Sequence, residues 1–374
     1  MAHTARIQFE LKFCRNVLKG QKDIVISPYS AGVCTAMVLS ASDNDTRNEM
    51  CQAMDIDPEC EEPFMRQHKE TSEYLNQEHE GLQLVVSNSL WANFRVEDAY
   101  KKSCVDYFKA EVLQLTNKTT INEWVSNQTK GKISDLIKED PEGPAVLVNA
   151  VFFNGVFEHC FLEENTKDRV FYPDYKENSP GDSVMVPTMQ KVQKMLYLEH
   201  KAGQIVELPY GNGSFSLLII LPSPALGTTG ALDILMGDEW KKLRDCMYNK
   251  LLHLEVPKCS LEYDLSLIPT METMGIKEVF SPSKASLGRL MKGLPGAYIK
   301  AMMQAATFDL FEKGVTAAAA TAAVAGTRGG GGRRVIDPTK MKVDRPHLMF
   351  IVENKLDVLL FAAVVNNPKV KVIN

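Results

Sequence analysis

One segment of the 374-residue chain concentrates the residue types most open to chemistry. From Gly314 to Thr327, fourteen residues carry no charge and nearly all are small. Four glycines then lie between Arg328 and the pair Arg333 and Arg334. Gly329 to Gly332 lacks the Lys-Ser/Thr pair with which a P-loop holds phosphate and magnesium, so the glycines do not point to nucleotide chemistry. The uncharged half says more. A surface helix needs a polar face, and a solvated linker usually carries Ser, Pro, Glu or Lys. A strand entering the middle of a sheet needs uncharged side chains, above all on one alternate set of positions, here Val315, Ala317, Ala319, Thr321, Ala323, Ala325 and Thr327. The segment therefore suits both an exposed loop and a buried strand, and Gly314 lets the backbone bend at its start.

The other reactive side chains form no catalytic or metal-binding pattern. Neither GxSxG nor HExxH occurs, and His3, His68, His79, His159, His200, His253 and His347 show no ligand spacing, reading as surface or satisfied core residues. The eight cysteines never come closer than nine positions, which excludes CxxC redox and zinc-ribbon spacings and leaves free thiols as the reading. No metal and no cofactor is expected, and enzymatic activity is not. With 42 basic against 47 acidic residues, net −5, there is no electrostatic case for nucleic acid or an anionic membrane. No run of 18 apolar residues occurs, which excludes a membrane-spanning helix.

These residues must be positioned by a sizeable core, which 45% apolar residues can supply. The first twenty residues mix Arg6, Glu10, Lys12 and Arg15 among apolar ones; with Ile7, Leu11, Cys14 and Leu18 at helical spacing, they read as an amphipathic helix rather than a secretory signal. To about residue 140 the pattern is mainly helical, broken by a strand over 82–92. Strands dominate afterwards. AVLVNAVFF (145–153) reads as a strand buried on both faces, and its one polar residue, Asn149, must find partners there. Residues 203–222 read as a hairpin turning at Gly211-Asn212-Gly213, 251–265 as one half-buried strand, and 347–352 with 356–365 as a second hairpin. Some thirty residues, 314–343, connect a strand ending near Glu312 to that last hairpin, a length that in compact domains is functional or disordered. Helices first and non-local strands later indicate an α+β fold.

In this order the segments resemble the serpins, the serine-protease-inhibitor superfamily, over essentially the whole length. ISPYSAGVCTAMVLSAS (26–42) with NDTRNEM (44–50) resembles the family's shutter strand and the helix after it, and INEWVSNQTKGKISDLI (121–137) the helix that crosses the front of the main sheet. LVNAVFFNG (147–155), VELPYGNGSFSLLIILP (206–222), LEVPKCSLEYDL (254–265), METMGIKEVF (271–280) and DRPHLMFIVENKLDVLLF (344–361) match later segments. EKGVTAAAAT (312–321) resembles the inhibitory hinge.

The resemblance implies one domain over 1–374, with eight to nine helices around three β-sheets and an exposed reactive-centre loop, its hinge and loop spanning 312–343. It implies a metastable inhibitor whose loop is bait. Cleavage lets the loop insert as a new strand and carry the acylated protease with it, a strand addition driven by the release of stored strain. The resemblance assigns the hinge to Glu312, Gly314, Val315, Thr316, Ala317, Ala318, Ala319, Ala320 and Thr321. Counting sixteen positions from Glu312 places the scissile bond at Arg328-Gly329; counting back from DRPHL favours Arg333 or Arg334, and these remain rival bait residues. Arginine there implies a trypsin-like serine protease as partner in a covalent complex, formed by a monomer. Ser27, Ser30 and Asn149 match shutter positions, where Gln304 stands in place of the family's usual His, and Phe157 stands where the breach usually has Trp. Those two departures keep a second reading open, a non-inhibitory serpin acting as carrier or chaperone. Residues 67–79 carry no basic stripe for a glycosaminoglycan. The likeness to the intracellular, ovalbumin-like branch implies a cytoplasmic location, some members of that branch also acting outside cells.

Overall fold

The computed structural model describes residues 2–176, 181–291, 296–312 and 337–370. Its helices in chain order are α1 (Ala2–Leu18), α2 (Pro28–Ala41), α3 (Asn44–Ala53), α4 (Glu61–Leu75), α5 (Asp98–Phe108), α6 (Lys118–Gln128), α7 (Gly227–Leu235), α8 (Asp238–Leu243) and α9 (Ile268–Met274). Its first strands are β1 (Ile24–Ile26), β2 (Leu82–Ala92), β3 (Glu111–Gln114), β4 (Ala145–Gly155), β5 (Lys167–Phe171), β6 (Val184–His200) and β7 (Gly203–Tyr210). The remainder are β8 (Phe215–Pro222), β9 (Tyr248–Pro257), β10 (Cys259–Ser266), β11 (Ile299–Leu310), β12 (Thr339–Lys342), β13 (His347–Glu353) and β14 (Val358–Val365).

Among the described residues the strands form two hydrogen-bonded sheets. The smaller has the order β10-β11-β4-β2-β3. The larger runs β1-β14-β13-β8-β7-β6-β9-β12, with β5 also on β6. The resemblance implies three sheets; two of them are continuous here through the seventeen-residue β6, which pairs with β9 over Thr188–Tyr197 and with β7 over Leu196–His200. Where β6 leaves β9 for β7 the strands splay, and a cleft opens between them.

Local sequence accounts for most of this. The eleven residues of β4 are all buried, as its apolar run requires, because helices and core cover both faces. Gly211 turns the β7–β8 hairpin with φ +52, and a Cβ there would lie 2.1 Å from the Glu80 carbonyl oxygen, so only glycine fits. Two expectations are corrected. Residues 251–265 are not one strand: Pro257, which has no N–H to give a ladder, ends β9, and Lys258 hands the chain to β10 in the other sheet. Residues 314–343 are not loop throughout, since β12 pairs in parallel with β9, Met341 opposite Leu254.

Helix α1 buries Ile7, Leu11, Cys14 and Leu18 as its spacing dictates, and also buries two charges. Arg6 donates to Glu10 at 2.6 Å and to the carbonyl of Leu356 at 2.7 Å, while the other Glu10 oxygen accepts from Leu359 N–H at 3.1 Å. The pair staples α1 to the turn between β13 and β14. Helix α6 lies over the smaller sheet: Ile121 and Val125 pack with Trp91 of β2, Val146, Val148 and Ala150 of β4 and Ala305 of β11. Any strand entering between β4 and β11 must shift this layer.

Candidate functional site

The middle of the smaller sheet is a parallel pair. β11 lies directly against β4, Gln304 beside Asn149, while β2 flanks β4 antiparallel with Asn88 beside Asn149. Alternation sends these three amides to the same face, away from α6 and toward the N-terminus of α2. Ser27 caps that helix with Pro28 as its first residue, an arrangement its type favours.

The structure brings Ser27, Ser30, Asn149 and Gln304 together, each with no measurable exposure. Gln304 grips the Ser27 backbone with both ends of its amide: Ser27 N–H donates to Oε1 at 2.8 Å, and Nε2 donates to the Ser27 carbonyl at 2.9 Å. Nε2 also donates to Asn149 Oδ1 at 3.0 Å. Asn149 Nδ2 in turn reaches the Ser30 hydroxyl, Asn88 Oδ1 at 2.9 Å and the Ser87 carbonyl at 3.2 Å. Cys34 closes the row on Asn88 at 3.3 Å. Sequence reasoning misses Asn88 and Cys34, although Asn88 carries the same signal as Asn149, an amide inside an apolar strand. Every main member of the row is a neutral hydrogen-bonding group, and burial pushes the Cys34 thiol up to about 12. No member titrates near neutral pH.

Two residues beyond the C-terminal end of β11 sits Glu312, the last described residue before 337. Its carboxylate accepts from Thr166 at 2.7 Å and pairs with Lys258 at 2.9 Å, and its backbone carbonyl accepts from Phe161 N–H at 3.1 Å. Phe157 is placed just beyond, buried, with its ring stacked 4.5 Å from Tyr210 and edge-on to Phe161. Burial alone would raise the Glu312 pKa, but the Lys258 and Thr166 hydrogen bonds outweigh it and hold the group below its ordinary 4.5. A depressed carboxylate contributes stability that is complete above the unfolded value and is lost as pH falls through the folded one. Replacing Glu312 with Gln is therefore expected to lower the melting temperature at pH 7 by the equivalent of about 1 to 2 kcal/mol, and the gap to the native chain should narrow as pH falls through the depressed folded value. Melting curves from pH 3 to 8 check this; a gap that persists undiminished in acid would show that the ion pair is not its source.

The remaining hinge residues Gly314, Val315, Thr316, Ala317, Ala318, Ala319, Ala320 and Thr321, and the bait residues Arg328, Gly329, Arg333 and Arg334, lie outside the described residues. Among the described residues no group of three His, Cys, Asp or Glu side chains could hold a metal ion. One histidine departs from expectation: His68 is buried with both ring nitrogens unpartnered, edge-on to Phe64 at 4.6 Å, and burial pushes its pKa down to about 3, so it is neutral. It packs as an aromatic rather than as a satisfied core histidine.

Residues 4–368 match the family model described as "Serpin (serine protease inhibitor)". Human antithrombin-III is 27% identical, the match covering 98% of this chain and 82% of the relative. Bovine plasminogen activator inhibitor 1 is 28% identical over 96% and 91%. Among solved structures, Manduca sexta serpin-12 superposes with a TM-score of 0.84 at 22% identity, covering 98% of this chain and 99% of the other. Human thyroxine-binding globulin does so with 0.85 at 23%, covering 99% and 100%. Likeness at that identity speaks for the fold.

Proposed function

The chain belongs to the serpin family, and on that footing we propose that it is an irreversible suicide-substrate inhibitor of a trypsin-like serine protease. The observation that carries the reading is the pairing of an uncharged segment with a ladder that can receive it. β11 and β4 are parallel neighbours, and β11 ends at Leu310, four residues before the fourteen uncharged residues Gly314–Thr327 begin. A segment that turns back there runs antiparallel to both strands, so its entry replaces one parallel ladder with two antiparallel ones, the slightly stronger pairing. The incoming side chains meet packed neighbours on both faces, which small uncharged residues tolerate.

In this reading Arg328 is the bait, with Gly329 on the leaving side and Arg333 and Arg334 as rivals. The protease's serine forms an acyl bond to the Arg328 carbonyl as the peptide bond to Gly329 breaks, and insertion carries the acyl-enzyme away before water reaches it. Ser27, Ser30, Asn149 and Gln304 act as the lock on strand separation, Phe157 fills the breach and Glu312 anchors the hinge. The eight cysteines form no disulfide, which suits a reducing compartment such as the cytoplasm.

Trypsin at stoichiometric ratio is expected to yield an SDS-stable complex and a released peptide beginning at Gly329 by mass spectrometry. A peptide beginning after Arg333 or Arg334 would move the bait. Quantitative cleavage with no complex would sink the inhibitory reading in favour of a carrier or chaperone, the alternative that Gln304 and Phe157 keep in view; a melting temperature unchanged by loop cleavage would agree with that outcome.

A further inference from the structure

The cleft where β6 splays from β7 has a volume of about 280 Å³ and is lined in part by Glu158, His159, Lys191, Lys194 and Glu207. Lys191 is the unusual member. Its ammonium stands 4.2 Å from the centre of the Phe161 ring and 5.8 Å from that of Phe157, and it donates to the His159 carbonyl at 2.8 Å. Among the described residues no carboxylate forms an ion pair with it: Glu207 is engaged by Arg244 at 2.8 Å, and no ion pair joins Glu158 to it. Cys160, His159 and Glu158 are the other titratable groups beside it, and the nearest on its own strand and on β9 are Lys194, His253 and Glu255, the last two paired with each other. Two aromatic faces and one carbonyl compensate a half-buried cation less than an acid would. Burial accordingly lowers its pKa to about 8.

We propose that Lys191 is a reactive amine whose cleft admits small aldehydes, making it a covalent modification site. The free amine adds its lone pair to the aldehyde carbon, the carbonyl oxygen takes up the proton, and loss of one water leaves the imine; no oxidant or reductant is required. The product withdraws the ammonium from the Phe157 and Phe161 rings and removes the donor to His159. Because Phe161 N–H holds the Glu312 carbonyl, modification here reaches the end of β11.

The test is to incubate the full chain with pyridoxal 5′-phosphate at pH 7.5, reduce with borohydride, digest and quantify each labelled lysine. Lys191 should carry at least about tenfold more label than the exposed Lys22, Lys102 and Lys138, since an activated amine is far more often unprotonated at that pH. Its labelling rate should rise with a midpoint near pH 8, and Lys191→Arg, which keeps a cation over the rings, should lose that label while melting as the native chain does. Label spread evenly over exposed lysines, a midpoint above pH 10, or no label on Lys191 would each overturn the proposal. Should Lys191→Arg not fold, the site-resolved rates on the native chain decide it alone.

Discussion

Ala319→Glu is expected to turn the proposed inhibitor into a substrate. Cleavage at the bait remains as fast as before, because residue 319 lies nine positions from Arg328 and is not read by the protease. Insertion does not remain fast. In the proposed mechanism position 319 belongs to the alternate set that passes into the sheet interior, and an unpaired carboxylate there costs several kcal/mol after relaxation. About 3 kcal/mol on the insertion step slows it roughly 100-fold, which lets deacylation win. The expected readout is loss of the SDS-stable complex with full conversion to cleaved chain, the ratio of complex to cleaved product falling about 100-fold. Ala319→Ser, uncharged and small, should retain most of the complex. If the Glu variant traps protease as well as the native chain does, the loop is not entering the sheet and the mechanism is wrong.

Gln304→Ala is expected to destabilise the native chain by about 3 kcal/mol. The change leaves the Ser27 N–H, the Ser27 carbonyl and Asn149 Oδ1 without their partner in a site that water does not reach, and each orphaned group costs about 1 to 3 kcal/mol. It also removes a link between β11 and the helix beneath it, so uncut chain should convert spontaneously to an inserted, inactive form. Melting curves and the decay of inhibitory activity at 37 °C measure the two effects. Gln304→His separates geometry from charge. The native row has no group that titrates near neutrality, so the row itself should add no pH dependence to the inactivation rate between pH 5 and 8. A buried histidine has its pKa lowered by desolvation, so stability is intact above the unfolded value of about 6.5 and is lost as pH falls from there through the lower folded value. A Gln304→Ala chain as durable as the native one would remove the row from any role in sheet opening.

Fold and site are legible in the sequence to different degrees. β2, β4, the β7–β8 hairpin and the C-terminal hairpin are plain, because unbroken apolar runs and the Gly211-Asn212-Gly213 turn report directly on burial and chain reversal. The break of 251–265 at Pro257 is hidden because alternation continues across it, and periodicity says nothing about which sheet a strand joins. Asn149 is recognisable as a buried amide in need of partners. That Asn88, Gln304 and Ser30 are those partners follows from segments 61, 155 and 119 residues away in sequence coming together. The Glu312–Lys258–Thr166 contact and the Lys191 cage are equally invisible, each joining residues from separate strands and turns.

The amino-acid order by itself determined which segment can be both loop and strand, since charge and side-chain size are properties of residues and survive any folding. It also determined which runs must be buried and where the chain must turn. Only the tertiary structure decided that β4 and β11 are parallel neighbours, that an amide row ties them to the N-terminus of α2, and that one lysine is held over two rings without an acid. Those depend on register and proximity between distant strands, which the collective packing of the core selects and no local pattern encodes.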